Sequence, residues 1–278
     1  MAGIVKYLET GSVDPGYNLA FEEHVLLNRR DAPYLMLWQN DNAVVIGQNQ
    51  NTEAEVDQHF IREHGIRVVR RTTGGGAVYH DLGNLNYSFI ADAKDAGQLT
   101  MERFTLPVVD ALCDLGLDAV VSGRNDISIE GREVSGTAQR LAEGRVLHHG
   151  TLLFDSDPSM LAGALRVDPQ KFRAKRAKSV RSRVGNIHVF LPREGKDMTL
   201  SEFWNHLKKA LAGDGLVPDK LDTWELERVR HLKEERYDSW EWVYGRSPAY
   251  DLCNRRWWDG GELEVRASIK RGRVSDIR

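Results

Sequence analysis

Between Arg70 and Asn84 the chain reads Arg-Arg-Thr-Thr-Gly-Gly-Gly-Ala-Val-Tyr-His-Asp-Leu-Gly-Asn, and no other stretch limits the possible fold so much. Ile66, Val68 and Val69 ahead of it read as a short apolar strand, and Leu85, Tyr87 and Phe89 behind it alternate like another. A strand that runs into three glycines brings bare backbone against something. Without Cβ atoms, Gly74, Gly75 and Gly76 can carry their N–H groups close to an anion and can adopt φ > 0. Arg70 and Arg71 set fixed charge beside that cradle, in the planar geometry that suits phosphate or carboxylate. No Gly-Lys-Ser/Thr follows, and the glycines are contiguous rather than spaced Gly-x-Gly-x-x-Gly, so neither common nucleotide loop accounts for the run. Three glycines alone would suit a hairpin turn; the Arg-Arg before them and the His-Asp-Leu-Gly-Asn after them point to a ligand loop.

Around this loop the coarse organisation is readable. Asp14 and Pro15 open a helical pattern with Tyr17, Phe21 and Val25 on one face. Tyr34–Trp38 and Ala43–Ile46 read as two paired strands with Gln39–Asn42 as their turn. Pro107 reads as the first-turn proline of a helix whose stripe is Val108, Leu112 and Leu115, ended by Gly116. Ile127 and Ile129 lead into a Glu130-Gly131 turn that returns through Val134. Thr199 and Glu202 spell a capping box, with Met198 and Phe203 as its hydrophobic staple, on a helix that runs to Gly213. Beyond a shift in composition near Gly245–Asp259, Leu263, Val265, Ala267 and Ile269 alternate as a half-buried strand, and Gly272 turns into a second. A lone hairpin is marginal in water, so this one must pack on something. The expected units are therefore 1–245, a main domain, and 246–278, a linker and hairpin.

A formal net charge of −3 argues against bulk nucleic-acid binding. The run Lys171, Arg173, Lys175, Arg176, Lys178, Arg181 and Arg183 reads first as a solvated face and second as an RNA-binding patch. Cys113 and Cys253 are the only cysteines, too few for a disulfide framework or a thiolate metal site, and both read as buried, reduced thiols. No long apolar run occurs, so no membrane span is expected and a cytoplasmic protein is.

Further blocks follow the glycine run's pattern in order: YNLAFEE at Tyr17–Glu23, VVIGQNQN at Val44–Asn51, SGRNDI at Ser122–Ile127, VSGTA at Val134–Ala138, HHGTLLF at His148–Phe154, SVRSRVGNI at Ser179–Ile187 and SWEWVYG at Ser239–Gly245. Together with Arg70–Asn84 these collinear blocks resemble the lipoate–protein ligase family over nearly the whole chain. The resemblance implies an α+β fold of the biotin/lipoate ligase type, a mixed sheet flanked by helices with its cleft beside the triple-glycine turn. It implies 1–245 as the catalytic domain and 246–278 as the start of a small accessory domain, truncated to its first hairpin. The implied chemistry is activation of lipoic acid with ATP and Mg2+ to lipoyl-AMP, then transfer to a carrier lysine. The carriers implied are lipoyl domains of 2-oxoacid dehydrogenase complexes and the glycine cleavage H protein, met by a monomer with no protein-held metal.

By the same resemblance, ATP and lipoyl-AMP would be held by Arg71, Gly74, Gly75, Gly76, Ala77, Val78, Tyr79, Asn84, Asp126, Arg181 and Arg183. The acyl pocket would take Arg70, Trp38, Gly136 and His149, with Trp38 and His149 also readable as core. His80, Asp81 and Asn84 would shape the turn, Asp81 either as a capping carboxylate or beside the metal ion that accompanies ATP. One position departs from the pattern. Where the family has a lysine touching the acyl carbonyl and the α-phosphate, this chain has Glu133. At roughly 4 Å and an effective dielectric of 20, attraction and repulsion are each worth up to ~4 kcal/mol, so the exchange is expected to impair adenylation by orders of magnitude. Arg132 lies one residue away, on the opposite face of a strand. Two alternatives therefore stand beside the ligase: an octanoyl or lipoyl acyltransferase, which would need a nucleophilic cysteine that neither Arg124-Asn125-Asp126 nor the Thr151 strand supplies, and a non-catalytic acyl or nucleotide binder.

Overall fold

The computed structural model describes residues 5–93, 100–123, 126–166, 184–212, 215–247, 250–258 and 261–277. Strand β1 (Val5–Glu9) leads to helix α1 (Pro15–Asn28), which starts where a proline follows a capping aspartate: the Asp14 side chain accepts from the Tyr17 amide. Strands β2 (Tyr34–Trp38) and β3 (Ala43–Ile46) have the expected bounds. Short helices α2 (Thr52–Glu55) and α3 (Gln58–Glu63) precede β4 (Arg67–Arg70), and the glycine run then crosses to β5 (Val78–His80) and β6 (Asn84–Asp92). Helix α4 (Met101–Cys113) is followed by the antiparallel run β7 (Ala119–Ser122), β8 (Asp126–Ile129), β9 (Arg132–Ala142) and β10 (Arg145–Leu153). The rest of the main body is α5 (Pro158–Ala164), α6 (Ile187–Phe190), α7 (Leu200–Ala212), β11 (Leu216–Pro218) and α8 (Thr223–Leu232), then two wide helical turns, Lys233–Tyr237 and Glu241–Gly245.

Three sheets result. The largest has the order β11-β1-β2-β6-β10-β9-β8-β7, with β1 parallel to both β11 and β2 and the other pairs antiparallel. One face buries Phe89, Phe104, Leu112 and Phe203 beneath α4 and α7; the other buries Phe21, Met36, Trp38 and Val229 beneath α1 and α8. A small sheet, β4-β3-β5, packs Val44, Ile46 and Tyr79 against Ile61 and Ala164 of α3 and α5. This is the mixed sheet flanked by helices, α+β in class, that the sequence implied. The third sheet, β12 (Tyr250–Trp258), β13 (Gly261–Lys270) and β14 (Arg273–Ile277), is an antiparallel meander. Its turn meets the main body: a Cβ on Gly272 would stand 3.1 Å from the Trp240 ring, and the Arg273 guanidinium lies over the same ring.

Four expectations need correction. Strands β2 and β3 do not pair with one another; β2 lies between β1 and β6, and β3 is the centre of the small sheet. Both are buried along their whole length, so neither carries an alternation that would choose a partner. The polar residues between them bond outward instead, Asn18 Nδ2 donating to Gln39 O and Asn42 Nδ2 to His64 O. Pro107 lies inside α4 rather than in its first turn; it withholds one amide donor, and the helix begins at the Thr100 cap. Cys113 is exposed, not buried, at the end of that helix. The segment before Gly261, read as linker, forms β12, so the terminal unit has three strands rather than two. The Thr199–Glu202 box forms as expected, Glu202 N donating to Thr199 Oγ1 and Thr199 N to Glu202 Oε2.

Candidate functional site

The glycine run passes over the end of β3, because β4 and β5 flank that strand on either side. Arg71 N donates to Ile46 O and Gln48 N to Thr73 O, which fix the start of the crossing. Arg71 then folds back under the loop. Its Nη2 donates to Gly74 O and Gly76 O, both at 2.7 Å, its Nη1 to Val45 O, and its Nε to Thr73 Oγ1. Burial lowers the guanidinium pKa to about 10, which leaves it charged at neutral pH. A trans peptide points its N–H opposite to its C=O, so carbonyls drawn onto Arg71 turn the amides of Gly75 and Ala77 away from it. Of the three glycines only Gly75 requires that residue, having φ +97° and space for a Cβ only 2.9 Å from Arg71 Nη2. Gly47 has the same need for a different reason: a Cβ there would fall 2.1 Å from Gly75 O.

Beyond the loop lies a cavity of about 250 Å3. Leu19, Trp38 and Val45 form an apolar end, and Gly75, Gly76, Ala77 and Val78 supply backbone at another part of the wall. Asp126, Glu133, Gly136, Thr137 and Ala138 come from the β8–β9 hairpin, and His149, Gly150 and Thr151 from β10. The hairpin turn is tight, with Glu130 at φ 50° and Gly131 at φ 74°, as its sequence indicates. Strict alternation back from Gly136 would put position 133 on the far face. The register steps from Ile127↔Ser135 to Ser128↔Glu133, which leaves Val134 as the extra residue of a β-bulge. The bulge re-aims the side chain: Glu133 joins Gly136 in the cavity wall while Val134 is fully buried in the core. Burial raises the Asp126 carboxyl above the usual aspartate range.

A chain of buried polar groups holds this wall. Trp38 Nε1 donates to Ser88 Oγ at 2.8 Å, and Ser88 Oγ donates to Glu22 Oε1 at 2.6 Å. The same Glu22 oxygen takes His149 Nδ1 at 2.9 Å, and His149 Nε2 meets Thr73 Oγ1 at 2.8 Å. A carboxylate only accepts, so Nδ1 carries the proton and Nε2 accepts from the threonine hydroxyl. Glu22, 2% exposed on α1, thus fixes Trp38 directly through Ser88 and the glycine loop through His149 and Thr73. Sequence reading did not single out Glu22; its signal is two consecutive glutamates set among Leu19, Ala20, Phe21, Val25 and Leu26 of one helix.

The expected site residues therefore separate. Trp38, Arg71, Gly75, Gly76, Ala77, Val78, Asp126, Glu133, Gly136 and His149 meet at the cavity. Gly74 lies in the loop with its carbonyl on Arg71. Tyr79 faces the small sheet's own core, its hydroxyl on Asn42, and Asn84 is wholly buried and donates to Asn86. Arg70 is directed away from the cavity. It is fully buried, with Nη1 donating to Gly47, Gln48 and Gln50 carbonyls, Nη2 to Thr52 Oγ1 and Val243 O, and Nε to Trp242 O. Asp81 caps the turn after β5, accepting from Gly83 N and from Asp157 N. His80 is buried and lines the cavity, and burial depresses its pKa to about 3. Arg181 and Arg183 lie outside the described residues.

Residues 14–212 match the model of the lipoyl protein ligase A/B catalytic domain. A lipoate–protein ligase of Bacillus subtilis is 42% identical over 272 residues, 95% of this chain and 81% of its own length. Lipoate–protein ligase 1 of Staphylococcus aureus is 38% identical over 277 residues, 99% of this chain and 84% of its own. Among solved structures, a bipartite lipoate protein ligase of Thermoplasma acidophilum, described with its E2 lipoyl domain, superposes with a TM-score of 0.77 at 34% identity, covering 89% of this chain and 98% of that one. A putative lipoate protein ligase from the same organism with bound lipoic acid gives 0.74 at 30%, over 88% and 99% of the two chains. A lipoate–protein ligase A bound with ATP gives 0.75 at 30%, over 88% and 100%.

Proposed function

This chain belongs to the lipoate–protein ligase family, and from that premise we propose that its cavity binds lipoic acid and ATP, forms lipoyl-AMP, and passes the lipoyl group to a carrier lysine. The observation that carries the reading is one cavity with an apolar end at Leu19, Trp38 and Val45 and a glycine loop braced on Arg71. The apolar end suits the acyl chain and dithiolane; the amides of the loop suit phosphate oxygens. A lipoate oxygen attacks the α-phosphorus and pyrophosphate leaves. The neutral carrier amine then attacks the acyl carbonyl, AMP leaves, and a proton is lost. No enzyme nucleophile is needed, so catalysis rests on position and on charge around the phosphate. Mg2+ arriving with ATP would offset charge that develops on pyrophosphate, and the cavity has hard oxygen donors that fit it in Asp126 and Glu133.

We assign residues 1–245 to the catalytic unit and the β12–β14 sheet, within 246–278, to an accessory unit. We take the acceptors to be lipoyl domains of 2-oxoacid dehydrogenase complexes and the glycine cleavage H protein, met by a monomer in the cytoplasm. Among the described residues no helix is long and apolar enough to cross a membrane. A cysteine-thioester acyltransferase is disfavoured, because the described residues lining the cavity include no cysteine. A non-catalytic acyl or nucleotide binder has one observation in its favour, the carboxylate of Glu133 in the wall. Pyrophosphate release from ATP with lipoic acid, comparing the protein with its Glu133→Lys variant, separates the two. Release by the unaltered chain establishes the half-reaction. Release only by the lysine variant makes this chain the binder, and silence from both overturns the ligase reading.

A further inference from the structure

The apolar end of the cavity contains a hydrogen-bond donor that the fold leaves without an acceptor. Strand β5 runs away from the glycine loop, and side chains alternate along it. Val78 and His80 therefore share the face toward the cavity, while Tyr79 turns to the core of the small sheet. Val78 packs with Leu19, Trp38 and Val45. His80, two residues on, stands roughly 7 Å further from the loop. A chain of amides fixes the state of its ring. Asn18 Nδ2 donates to the backbone carbonyls of Ser12 and Gln39 and to Asn40 Oδ1 at 3.0 Å, which leaves Asn40 Nδ2 to donate to His80 Nδ1, also at 3.0 Å. A neutral imidazole that accepts at Nδ1 carries its proton at Nε2, and burial keeps this one neutral, with a pKa of about 3. Among the described residues that buried Nε2 meets no hydrogen-bond partner. His80 is only 3% exposed, so the N–H looks for an acceptor on whatever fills the cavity.

We propose that His80 selects for the dithiolane ring: its Nε2–H pairs with a ring sulfur of lipoic acid, so the cavity prefers lipoate to a saturated fatty acid of similar length such as octanoate. The proposal rests on the reading of the cavity as a lipoate site, with the carboxylate toward the glycine loop and the ring at the apolar end. In that pose the carboxyl oxygens lie with the phosphate they attack, and the sulfurs are the only acceptors at the other end of the ligand. A disulfide sulfur is soft and accepts weakly, which suits a neutral N–H set beside Val78, Trp38 and Leu19. Octanoate ends in a methyl group, which fits the apolar wall but leaves the N–H unpaired. A site built around a donor discriminates against the analogue that brings no acceptor. On this view Trp38 selects by shape and His80 by chemistry.

Calorimetric titration of the full chain with lipoic acid, octanoic acid and cyclopentylpentanoic acid tests this. The last has the shape of lipoic acid with carbon in place of both sulfurs, so it separates fit from hydrogen bonding. Lipoic acid is expected to bind about tenfold more tightly than this carbocycle, a ratio that one unpaired buried donor supports. In His80→Phe, or in His80→Met should circular dichroism show the first variant unfolded, most of that ratio is expected to vanish. His80→Gln, whose Nε2 can still donate, is expected to keep it. Equal affinity for lipoic acid and the carbocycle in the unaltered protein, or the same ratio in a folded variant without the donor, overturns the role of His80 and leaves the lipoate site intact. Failure of all three acids to bind, with ATP present or absent, overturns the lipoate reading as well.

Discussion

Replacing Arg70 by alanine would strip donors from the carbonyls of Gly47, Gln48, Gln50 and Val243 at once. Leaving a buried acceptor without its donor costs about 1–3 kcal/mol, and several are orphaned together here, so Arg70→Ala should lower the urea midpoint markedly, with Arg70→Lys only partly restoring it. Glu22 is expected to act through its neighbours. Glu22→Gln keeps the shape but brings an amide where one carboxylate oxygen took both Ser88 and His149, which disturbs Trp38 and Thr73 together. The expected result is a KM for lipoic acid raised about tenfold, equivalent to ~1.4 kcal/mol of binding, with a smaller change in kcat. At this scale the placing of Arg71 beside the glycine loop was legible, because a planar cation next to bare backbone finds carbonyls to hold. The different employment of Arg70 was not legible, since adjacent arginines look alike until the strand that carries them is paired. Nor was the hub at Glu22, which exists only when α1, β6 and β10 have met.

Gly47 follows the last residue of β3, and its missing side chain is what lets the glycine loop lie across that strand end. Gly47→Ala would place a Cβ 2.1 Å from Gly75 O, which has to move. Because the conflict lies between a strand end and a loop, overpacking should cost only about 1–3 kcal/mol of stability, while ATP affinity falls at least tenfold. Fluorescence titration with a nucleotide analogue beside a thermal melt would check it; a normal affinity would mean that the loop's position is immaterial. Element bounds were legible wherever turn residues and apolar runs coincided, as at Tyr34–Trp38 and Ala43–Ile46. Their partners were not, because two runs buried on every side carry no alternation to match. The aim of Glu133 depends likewise on one extra residue in a ladder, and a bulge at Val134 leaves no mark in a stretch that already looks like a regular hairpin.

His80 and His148 contribute to the acid sensitivity of the molecule. Burial depresses both to a pKa of about 3, against 6.5 for an unhindered histidine. Below pH 6.5 the unfolded chain takes up protons that the folded one refuses, so stability is full above that value and declines as pH falls towards 3. Each histidine contributes a slope of up to ~1.4 kcal/mol per pH unit in that window. The urea midpoint should therefore drop between pH 7.5 and pH 5, and by less in His148→Phe, whose ring can take over the stacking on Phe104. An equal drop in both proteins would exclude His148 as a source.

The same molecule closes on itself in a way that matters while it is being made. Strand β1 lies between β2 and β11, and it pairs in parallel with both. A ribosome delivers β2 almost at once but β11 only after most of the chain; at ~5–20 residues per second, roughly 10–40 s separate the two. Throughout that interval the nascent protein presents one edge of β1 with unpaired amides and carbonyls, the arrangement most open to pairing with another chain. Crowded polysomes and slow codons ahead of Leu216 would lengthen the exposure, so the yield of folded protein should depend on translation speed more than its stability alone would suggest.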